Sequence, residues 1–310
     1  MLVTSSVEQI KTPTALALGN FDGIHQGHRL VLRSIKDSLP ADQTTNACLS
    51  VVSFVPHPRE FFTGIELQLL TPVEQKAKLL SELGIEQLIL LPFNQDLAEL
   101  SPQQFVEQIL VQQLKAVSIS VGTDFRFGYQ RQGTGEDLKN IAAGYGITVK
   151  LNSLHKYRDR QNQQVRVSSS LIRQALTAGD METANFMLGR AYSLWGTVVT
   201  GQQLGRTIGF PTANLNLPQE KFLPRFGVYA VNVLLEQTTV KGVMNIGCRP
   251  TVAGESPTIE VHLLNWSGDL YGKTLKVDLL EYLRPEQKFD SVEALKQQIT
   301  QDCQSVLNNY

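Results

Sequence analysis

Short apolar runs alternate with amphipathic stretches along the first half of the chain. Between the runs, apolar side chains recur at helical spacing from His25, after Pro72, after Pro102 and over residues 136–143. Strands that alternate with helices predict an α/β domain with a parallel sheet and right-handed crossovers. The runs have the length of buried strands, and they lie at residues 15–18, 48–55, 87–91, 117–121 and 147–151.

The pattern changes after about residue 189. Strand-like runs then follow at short intervals, with Gly, Pro and Asn between them, at residues 194–200, 212–217, 227–235, 239–246, 258–264 and 275–283. Short strands with turn signals and no helices predict a small antiparallel barrel. An amphipathic helix over residues 291–307, capped by Ser291, follows the last strand. We therefore predict two domains, residues 1–189 and 190–310.

Composition and charge are those of an ordinary globular protein. Of the 310 residues, 42% are hydrophobic and 18% are charged, and the net charge of −1 argues against non-specific binding to nucleic acid or to a membrane surface. The three cysteines, Cys48, Cys248 and Cys303, lack metal-ligand spacing and indicate a reducing compartment. Neither a signal-peptide pattern nor a run as long as a membrane span is present. We expect a cytoplasmic protein with no nucleic-acid or membrane partner, of undetermined oligomeric state.

A glycine-containing turn with two histidines follows the first predicted strand. A helix N-terminus carries unpaired N–H groups and partial positive charge, so histidines placed there favour phosphate binding. One histidine at such a place is usually a solvated or capping residue, whereas two that flank a glycine are harder to explain in that way. The residues of this turn are Gly19, Asn20, Phe21, Asp22, Gly23, His25, Gly27 and His28.

Two further loops lie at the same predicted edge of the sheet, where parallel α/β folds bind ligands. After residue 121, Asp124, Phe125 and Arg126 offer a ring for stacking and charged groups for hydrogen bonds, which suits a planar, polar ligand. A simple hairpin tip is the alternative. His57 lies between two prolines after the second strand, and this segment by itself favours a rigid surface loop.

A serine-rich segment with two arginines comes near the end of the first predicted domain. Arg166, Ser169, Ser170 and Arg173 can bring hydroxyls, N–H groups and guanidinium groups to a triphosphate. The alternative is that Ser169 or Ser170 only caps a helix beginning at Leu171.

The predicted barrel carries a glycine-rich run with polar side chains. Glycines allow the backbone to approach phosphates closely, and an arginine can neutralise their charge. If the strand is extended, Thr212 and Asn214 point the same way and offer oxygen ligands suited to Mg²⁺. A tight barrel turn is the alternative. The run contains Gly201, Gly205, Arg206, Gly209, Thr212 and Asn214.

Glu260 lies in a strand of alternating pattern. Residues 259, 261 and 263 are apolar and share one face, whereas Glu260 and His262 share the other. A carboxylate in this setting is a candidate general base for a primary hydroxyl, and a solvated strand face is the alternative.

Two of these motifs resemble those of one enzyme family. Residues 19–28 resemble the His-x-Gly-His signature of nucleotidyltransferases, in the longer form found in bacterial FAD synthetases. Residues 209–214, Gly-Phe-Pro-Thr-Ala-Asn, resemble the riboflavin kinase signature. The resemblance implies a Rossmann-like nucleotidyltransferase domain followed by a riboflavin kinase barrel, with riboflavin, FMN and ATP as substrates, FMN and FAD as products and Mg²⁺ as cofactor.

The resemblance also implies roles for particular residues. In the first domain, His25 and His28 act in adenylyl transfer, and Asp124, Phe125 and Arg126 bind flavin. In the barrel, Glu260 activates the ribityl 5′-hydroxyl of riboflavin, Thr212 and Asn214 bind Mg²⁺, and the glycine-rich run binds ATP. The first domain's ATP-binding residues are Gly19, Asn20, Phe21, Asp22, Gly27, Arg166, Ser169, Ser170 and Arg173.

Two alternatives to a bifunctional enzyme stay open from the sequence. In one, only the first domain is active and the barrel merely binds flavin. In the other, the chain is a flavin-binding protein without catalysis. Asn265-Trp266 and Ser53-Phe54-Val55-Pro56 depart from the family pattern, and these departures concern the orientation of the flavin.

Overall fold

The computed structural model describes residues 1–37, 39, 46–158, 162–201, 203–236, 238–251 and 254–310. The chain forms two compact units, Met1–Ser169 and Ser170–Tyr310. The division falls in the first turn of a helix, ahead of the predicted boundary at Gly189, and the division into functional domains at that glycine stays a prediction.

A six-stranded parallel sheet forms the middle of the first unit. Helices α1 (Gln26–Asp37), α2 (Pro58–Thr63), α3 (Val73–Glu82), α4 (Gln95–Glu99), α5 (Pro102–Gln104) and α6 (Gly135–Ala143) connect or flank its strands. The strands of the unit are β1 (Leu2–Thr4), β2 (Thr14–Leu18), β3 (Cys48–Val55), β4 (Gln87–Pro92), β5 (Ala116–Gly122), β6 (Arg126–Phe127), β7 (Gly133–Thr134), β8 (Thr148–Asn152), β9 (Lys156–Arg158) and β10 (Gln164–Arg166). The sheet has the order β1-β4-β3-β2-β5-β8, and β6-β7 and β9-β10 are separate antiparallel pairs.

Both faces of the sheet are covered, which explains the uninterrupted apolar runs of its strands. Leu16 and Leu18 of β2 pack into a cluster with the π-helical segment Phe105–Gln113 that continues α5. Ala15 and Ala17 point to the opposite face, where the apolar residues of α1 and α3 cover them. The predicted parallel α/β architecture is confirmed.

The strand order reverses beside β2, and this reversal positions a crevice. From β2 the chain crosses to β3 on one side, whereas β5 pairs with β2 on the other side. The loops that leave the carboxyl ends of β2 and β5 therefore diverge, and α/β sheets bind ligands in the crevice that results.

The helix ends agree with most of the predicted signals. Ser101 caps α5 through the N–H of Gln104, and Ser291 caps the last helix through the N–H of Ala294. Two details differ. Pro72 precedes the first residue of α3 and does not form its first turn. The serine-rich helix begins at Ser169, two residues before Leu171, because its hydroxyl residues adopt helical geometry themselves.

The second unit contains a closed six-stranded barrel. Its helices are α7 (Ser169–Ala178), α8 (Met181–Leu188), α9 (Leu204–Thr207) and α10 (Val292–Asn309). Only the first residue of α7, Ser169, belongs to the first unit. Its strands are β11 (Tyr192–Val199), β12 (Ala213–Asn216), β13 (Gly227–Leu235), β14 (Thr238–Thr251), β15 (Gly254–Leu263) and β16 (Thr274–Arg284), closed in the order β11-β12-β15-β14-β13-β16. All pairs are antiparallel, as the short apolar runs predict.

An ion pair joins the last helix to the barrel. Nε and Nη2 of Arg284, at the end of β16, donate to both carboxylate oxygens of Asp302 in α10 at 2.8–3.1 Å. The pair is largely buried, and Cys303 and Val306 of the same helix pack against apolar residues of β13 and β14. Helix α10 is therefore an integral part of the barrel unit. Among the residues that the structure describes, no helix is long and apolar enough to cross a bilayer.

Candidate active sites

The crevice of the first unit holds a cavity of about 280 Å³ at the carboxyl ends of β2 and β5. The predicted residues that it brings together are Gly19, Asn20, Phe21, His25, Gly27, His28, Asp124, Phe125, Arg126 and Arg166. These residues come from segments 19–28 and 124–126 and from position 166, which are far apart in sequence, so the folded unit brings them together. The cavity therefore joins the predicted ATP-binding turn with the predicted flavin-binding loop.

The two histidines lie at the start of α1, as their spacing predicts. Nδ1 of His25 accepts a hydrogen bond from the backbone N–H of His28 at 3.2 Å, so the neutral ring carries its proton on Nε2. The two rings stack with centroids 3.6 Å apart. A Cβ on Gly27 would lie 3.2 Å from the His25 ring, so only glycine leaves the ring undisturbed. The arrangement directs imidazole donors into the cavity beside a helix N-terminus.

Phe21 holds the turn before α1 in an unusual backbone conformation. Its φ is +47°, and Ile24 has a φ of +41°, both in the left-handed region that side chains disfavour. The Phe21 ring packs against His28 with centroids 5.1 Å apart. Such strain persists only where surrounding contacts hold it, and it is concentrated at functional sites.

Asp22 and Ser169 support the turn and do not line the cavity. The buried Asp22 carboxylate accepts hydrogen bonds from the N–H groups of Leu70 and Thr71 at 3.2 and 3.0 Å. The Ser169 hydroxyl donates to the backbone carbonyl of Asp22 at 2.8 Å. These contacts give both residues a supporting role, and their predicted contact with ATP stays a prediction.

The remaining predicted residues differ in their surroundings. Arg166 forms an ion pair with Asp124, and Phe125 stacks on Phe127 with centroids 5.7 Å apart. Ser170 and Arg173 lie in α7 within the second unit, where the Arg173 guanidinium is 5.7 Å from the centre of the Phe222 ring. The predicted ATP contacts of Ser170 and Arg173 stay predictions.

Several residues of the first cavity were not predicted. His57 contributes to the cavity indirectly, because its Nε2 lies within hydrogen-bond distance, 2.7 Å, of Nδ2 of Asn20. The proline-flanked loop therefore supports a residue of the cavity. Its position after a sheet strand was the available signal. The unpredicted lining residues are Phe54, Pro58, Arg131, Asn152, Ser153, Leu154 and His155.

Two cavities of the barrel unit share Thr212. One, of about 410 Å³, is largely apolar and includes Glu260, Asn245 and Phe289 in its lining. The other, of about 690 Å³, is lined by Arg206 and by the segment 266–271 among others. We call them the Glu260 cavity and the Arg206 cavity. Thr212 Oγ1 donates to Glu260 Oε2 at 3.3 Å where they meet.

Glu260 lies in the middle of a row of polar side chains across three strands. In the strand register it pairs with Asn214 of β12 on one side and with Asn245 of β14 on the other. Neighbours in such a row share a face of the sheet. Ile259 and Val261, on the opposite face, are buried in the barrel. The predicted alternation of this strand is therefore confirmed.

The glycine-rich run folds back closely on itself, and its glycines lie at the points of closest approach. A Cβ on Gly201 would lie 2.2 Å from Nδ2 of Asn214, and one on Gly205 would lie 2.3 Å from the Phe210 carbonyl oxygen. Gly209 has a φ of +91°, which favours glycine. Gly205 lines the Glu260 cavity and Arg206 the other cavity, whereas the linings of these two cavities do not include Gly201, Gly209 or Asn214.

Three further charged residues, to which the sequence assigned no chemistry, line the Glu260 cavity: Arg284, Glu286 and Asp302. Asn245 Nδ2 donates to Oε1 of Glu286 at 3.2 Å, and Arg284 lies beside them in its pair with Asp302. The Arg206 cavity likewise includes Trp266 and Tyr271. Asn245 lies within β14, Arg284 ends β16 and Asp302 lies in α10, so the assembled barrel makes them neighbours.

The candidate phosphate-binding groups found in both units are those expected of a transferase that uses nucleotides. Residues 7–171 match the family described as FAD synthetase, and residues 188–310 match the family described as riboflavin kinase. The chain belongs to the bifunctional riboflavin kinase/FMN adenylyltransferase family. Such enzymes phosphorylate riboflavin to FMN and adenylylate FMN to FAD, with ATP as the second substrate of both reactions.

Curated relatives align along almost the whole chain. The bifunctional riboflavin kinase/FMN adenylyltransferase of Escherichia coli strain K12 is 39% identical over 289 residues, which are 93% of this chain and 90% of that protein. The Haemophilus influenzae enzyme is 38% identical, and the match covers 94% of this chain and 92% of that protein. The enzyme of Bacillus subtilis strain 168 is 34% identical, and the match covers 98% of this chain and 95% of that protein.

A solved structure shares the whole architecture. It is a crystal structure from Streptococcus pneumoniae described as a macrolide-efflux protein, with a TM-score of 0.85 and 30% sequence identity. The match covers 100% of this chain and 99% of that one. The arrangement of an α/β unit followed by a barrel unit is therefore common to both proteins.

Proposed function

We propose that each of the two reactions takes place in its own domain, with the residue roles that the motifs predict. The observation that carries this proposal is the separate clustering of two kinds of groups. The first cavity gathers histidines and arginines beside the N-terminus of α1, whereas the barrel places the carboxylate of Glu260 in a largely apolar cavity next to a second, larger one. The first set suits adenylyl transfer, and the second suits phosphorylation of a hydroxyl.

In adenylyl transfer, the phosphate of FMN attacks the α-phosphorus of ATP and pyrophosphate leaves. The attacking group is already an anion, so the protein needs no base. Its task is to position two anions and to stabilise the negative charge that develops at the α-phosphorus. His25 and His28 supply donors at the start of α1, together with the N–H groups of its first turn. Gly27 lets the phosphates approach that turn closely.

Residues from other segments complete the proposed adenylyl-transfer site. Arg166 and Ser169 bind the ATP phosphates, and Asp124, Phe125 and Arg126 bind the flavin. For Ser170 and Arg173, ATP binding is proposed on the serine-rich motif alone. The support for the flavin loop is that it lines the first cavity together with the histidine turn. Asp22 acts on ATP through the backbone of the turn that it supports.

In the kinase reaction, the 5′-hydroxyl of riboflavin attacks the γ-phosphorus of ATP and ADP leaves. Glu260 accepts the hydroxyl proton, so the oxygen becomes a better nucleophile. We assign riboflavin to the Glu260 cavity, because it is largely apolar and suits an aromatic ring system. ATP occupies the larger Arg206 cavity, and Arg206 lies where it can neutralise phosphate charge.

The Thr212 and Asn214 side chains fit a magnesium ion. The hydroxyl and the amide carbonyl are hard oxygen donors. Thr212 bonds Glu260 where the two cavities meet, and Asn214 pairs with Glu260 in the strand register. A bound Mg²⁺ would neutralise charge on the ATP phosphates. Gly201 keeps the space that the Asn214 amide occupies.

Gly201→Ala should therefore weaken the kinase reaction. The added Cβ would displace the Asn214 amide from its present position, because the two would be 2.2 Å apart. We expect FMN formation to fall about 10- to 100-fold, the usual cost of disturbing the support of a metal ligand. Steady-state rates across a range of Mg²⁺ concentrations measure the effect, which should be smaller at high Mg²⁺. An unchanged Mg²⁺ dependence would remove Asn214 from the metal site. FAD formation from FMN by the same variant serves as the control.

The net charge of −1 and the three cysteines without metal-ligand spacing support a cytoplasmic enzyme that acts on riboflavin, FMN and ATP and has no nucleic-acid or membrane partner.

The test of the whole proposal is incubation of the chain with riboflavin and Mg-ATP, followed by separation of the flavins. We expect FMN to appear first and FAD to follow. FAD formed only from added FMN would favour an inactive barrel, and the absence of ATP consumption would favour a flavin-binding protein.

A further inference from the structure

Lys76 is a buried cation beside the first cavity to which no role has been given above. It lies in the second turn of α3, and its side chain is 5% exposed. Burial lowers the pKa of its ammonium group, and the attraction of the Asp22 carboxylate opposes this shift. A buried charge is costly unless nearby groups compensate it, so the contacts of this ammonium group are informative.

The Lys76 ammonium group holds the turn after β2. Its Nζ donates to the backbone carbonyl of Asn20 at 2.7 Å and to Ser53 Oγ at 3.2 Å. The Ser53 hydroxyl also donates to the same Asn20 carbonyl at 3.3 Å. Two donors from two different elements therefore converge on one carbonyl oxygen, and that oxygen belongs to the peptide bond that leads into Phe21.

This peptide bond precedes the strained part of the site. Phe21 has a positive φ, and its ring packs against His28, which in turn stacks on His25. An L residue keeps a left-handed conformation only where its surroundings fix it. Without the ammonium group, the Asn20 carbonyl would lose its charged donor and the turn could relax toward an ordinary conformation. The Phe21 ring would then no longer fix His28.

We propose that Lys76 is a positioning residue for adenylyl transfer, which acts through the Asn20 carbonyl and Phe21 on His28. The inference rests on the proposed role of His28 in that reaction. It predicts that removal of the ammonium group lowers kcat by more than it raises the KM for ATP, to which Asn20 and Phe21 of the same turn are themselves predicted to contribute. A displacement of about 1 Å in a reacting site can cost on the order of 10²-fold in rate.

The test is a double-mutant cycle in the full-length chain. Lys76→Met keeps the apolar stem and removes the charge, and it is compared in the native background and in a His28→Ala background. We expect kcat for FAD formation to fall on the order of 10²-fold in the native background. In the His28→Ala background the further fall should be less than about threefold, within the usual tolerance of additive free energies. FMN formation should stay unchanged in both.

A matched variant separates positioning from general destabilisation. Gln87 is also completely buried in the first unit, and it bonds Lys11 and Ser50 at the amino-terminal end of the sheet, away from the cavity. Gln87→Met should lower thermal stability but leave kcat for FAD formation unchanged. If Lys76→Met does not fold, Ser53→Ala removes the second donor to the Asn20 carbonyl, and we expect it to lower kcat about three- to tenfold in the same cycle.

Each outcome decides the inference. A folded Lys76→Met variant with native kcat would overturn it, and so would an equal loss in both backgrounds, since Lys76 would then not act through His28. If Lys76→Met does not fold, native kcat in Ser53→Ala, or an equal loss in both of its backgrounds, would overturn it as well. Full FAD formation by His28→Ala alone would instead overturn the proposed role of His28, so the two failures are distinguishable.

Discussion

His28→Ala is expected to lower FAD formation on the order of 10²- to 10³-fold and to leave FMN formation intact. Removing one preorganised donor from a site of developing charge typically costs that much in rate. The His28 ring stacks on His25 and supports Phe21, so its loss also loosens both neighbours. The measurement is the initial rate of FAD formation from FMN and Mg-ATP, with FMN formation from riboflavin assayed in the same preparation.

Arg33→Ala is the matched control for this variant. Arg33 lies on the exposed side of the same helix, α1, and does not line the cavity. Its removal should leave both rates unchanged. If His28→Ala reduced FMN and FAD formation equally, the assignment of the two reactions to separate domains would be wrong.

Glu260→Gln should lower FMN formation about 10²- to 10⁴-fold, the range that a general base contributes. Glutamine keeps the size of the side chain and can still accept the hydrogen bond from Thr212, but it cannot accept the hydroxyl proton. We therefore expect riboflavin binding to persist, and titration of the flavin fluorescence against the variant measures it. FAD formation from FMN should remain at the native rate.

The carboxylate of Glu281 provides the comparison. It is exposed on β16, bonds the hydroxyl of Tyr310, and is absent from the linings of the Glu260 and Arg206 cavities. Glu281→Gln should leave both reactions unchanged. Native turnover of riboflavin by Glu260→Gln would exclude Glu260 as the base, whereas loss of riboflavin binding would assign it to substrate binding.

Most of the fold was predictable because its strands are buried on one or both faces. The apolar runs of β2, β3, β4, β5 and β8 all correspond to predicted strands, and so do the six strands of the barrel. The omitted strands are short. The three residues of β1 and the two- and three-residue pairs β6-β7 and β9-β10 have too few positions for a pattern, and their pairing depends on the rest of the fold.

The candidate sites were predictable only where their residues are contiguous in sequence. The turn with His25 and His28 and the run from Gly201 to Asn214 are local motifs, and each has a backbone reason for its glycines. Lys76 and His155 reach the first site from a helix and from the end of the last sheet strand. No spacing rule links such positions to the histidines, because only the assembled sheet makes them neighbours.

Thr212 lines both the Glu260 cavity and the Arg206 cavity, so it lies between the proposed binding sites of riboflavin and ATP. If riboflavin and ATP bind in these two cavities as proposed, a substitution at Thr212 would alter nucleotide preference and flavin preference together. Of these two cavities, Trp266 and Tyr271 line only the Arg206 cavity, and Phe289 lines only the Glu260 cavity. Libraries that vary those three positions should therefore separate the two specificities, whereas a library at Thr212 would keep them linked.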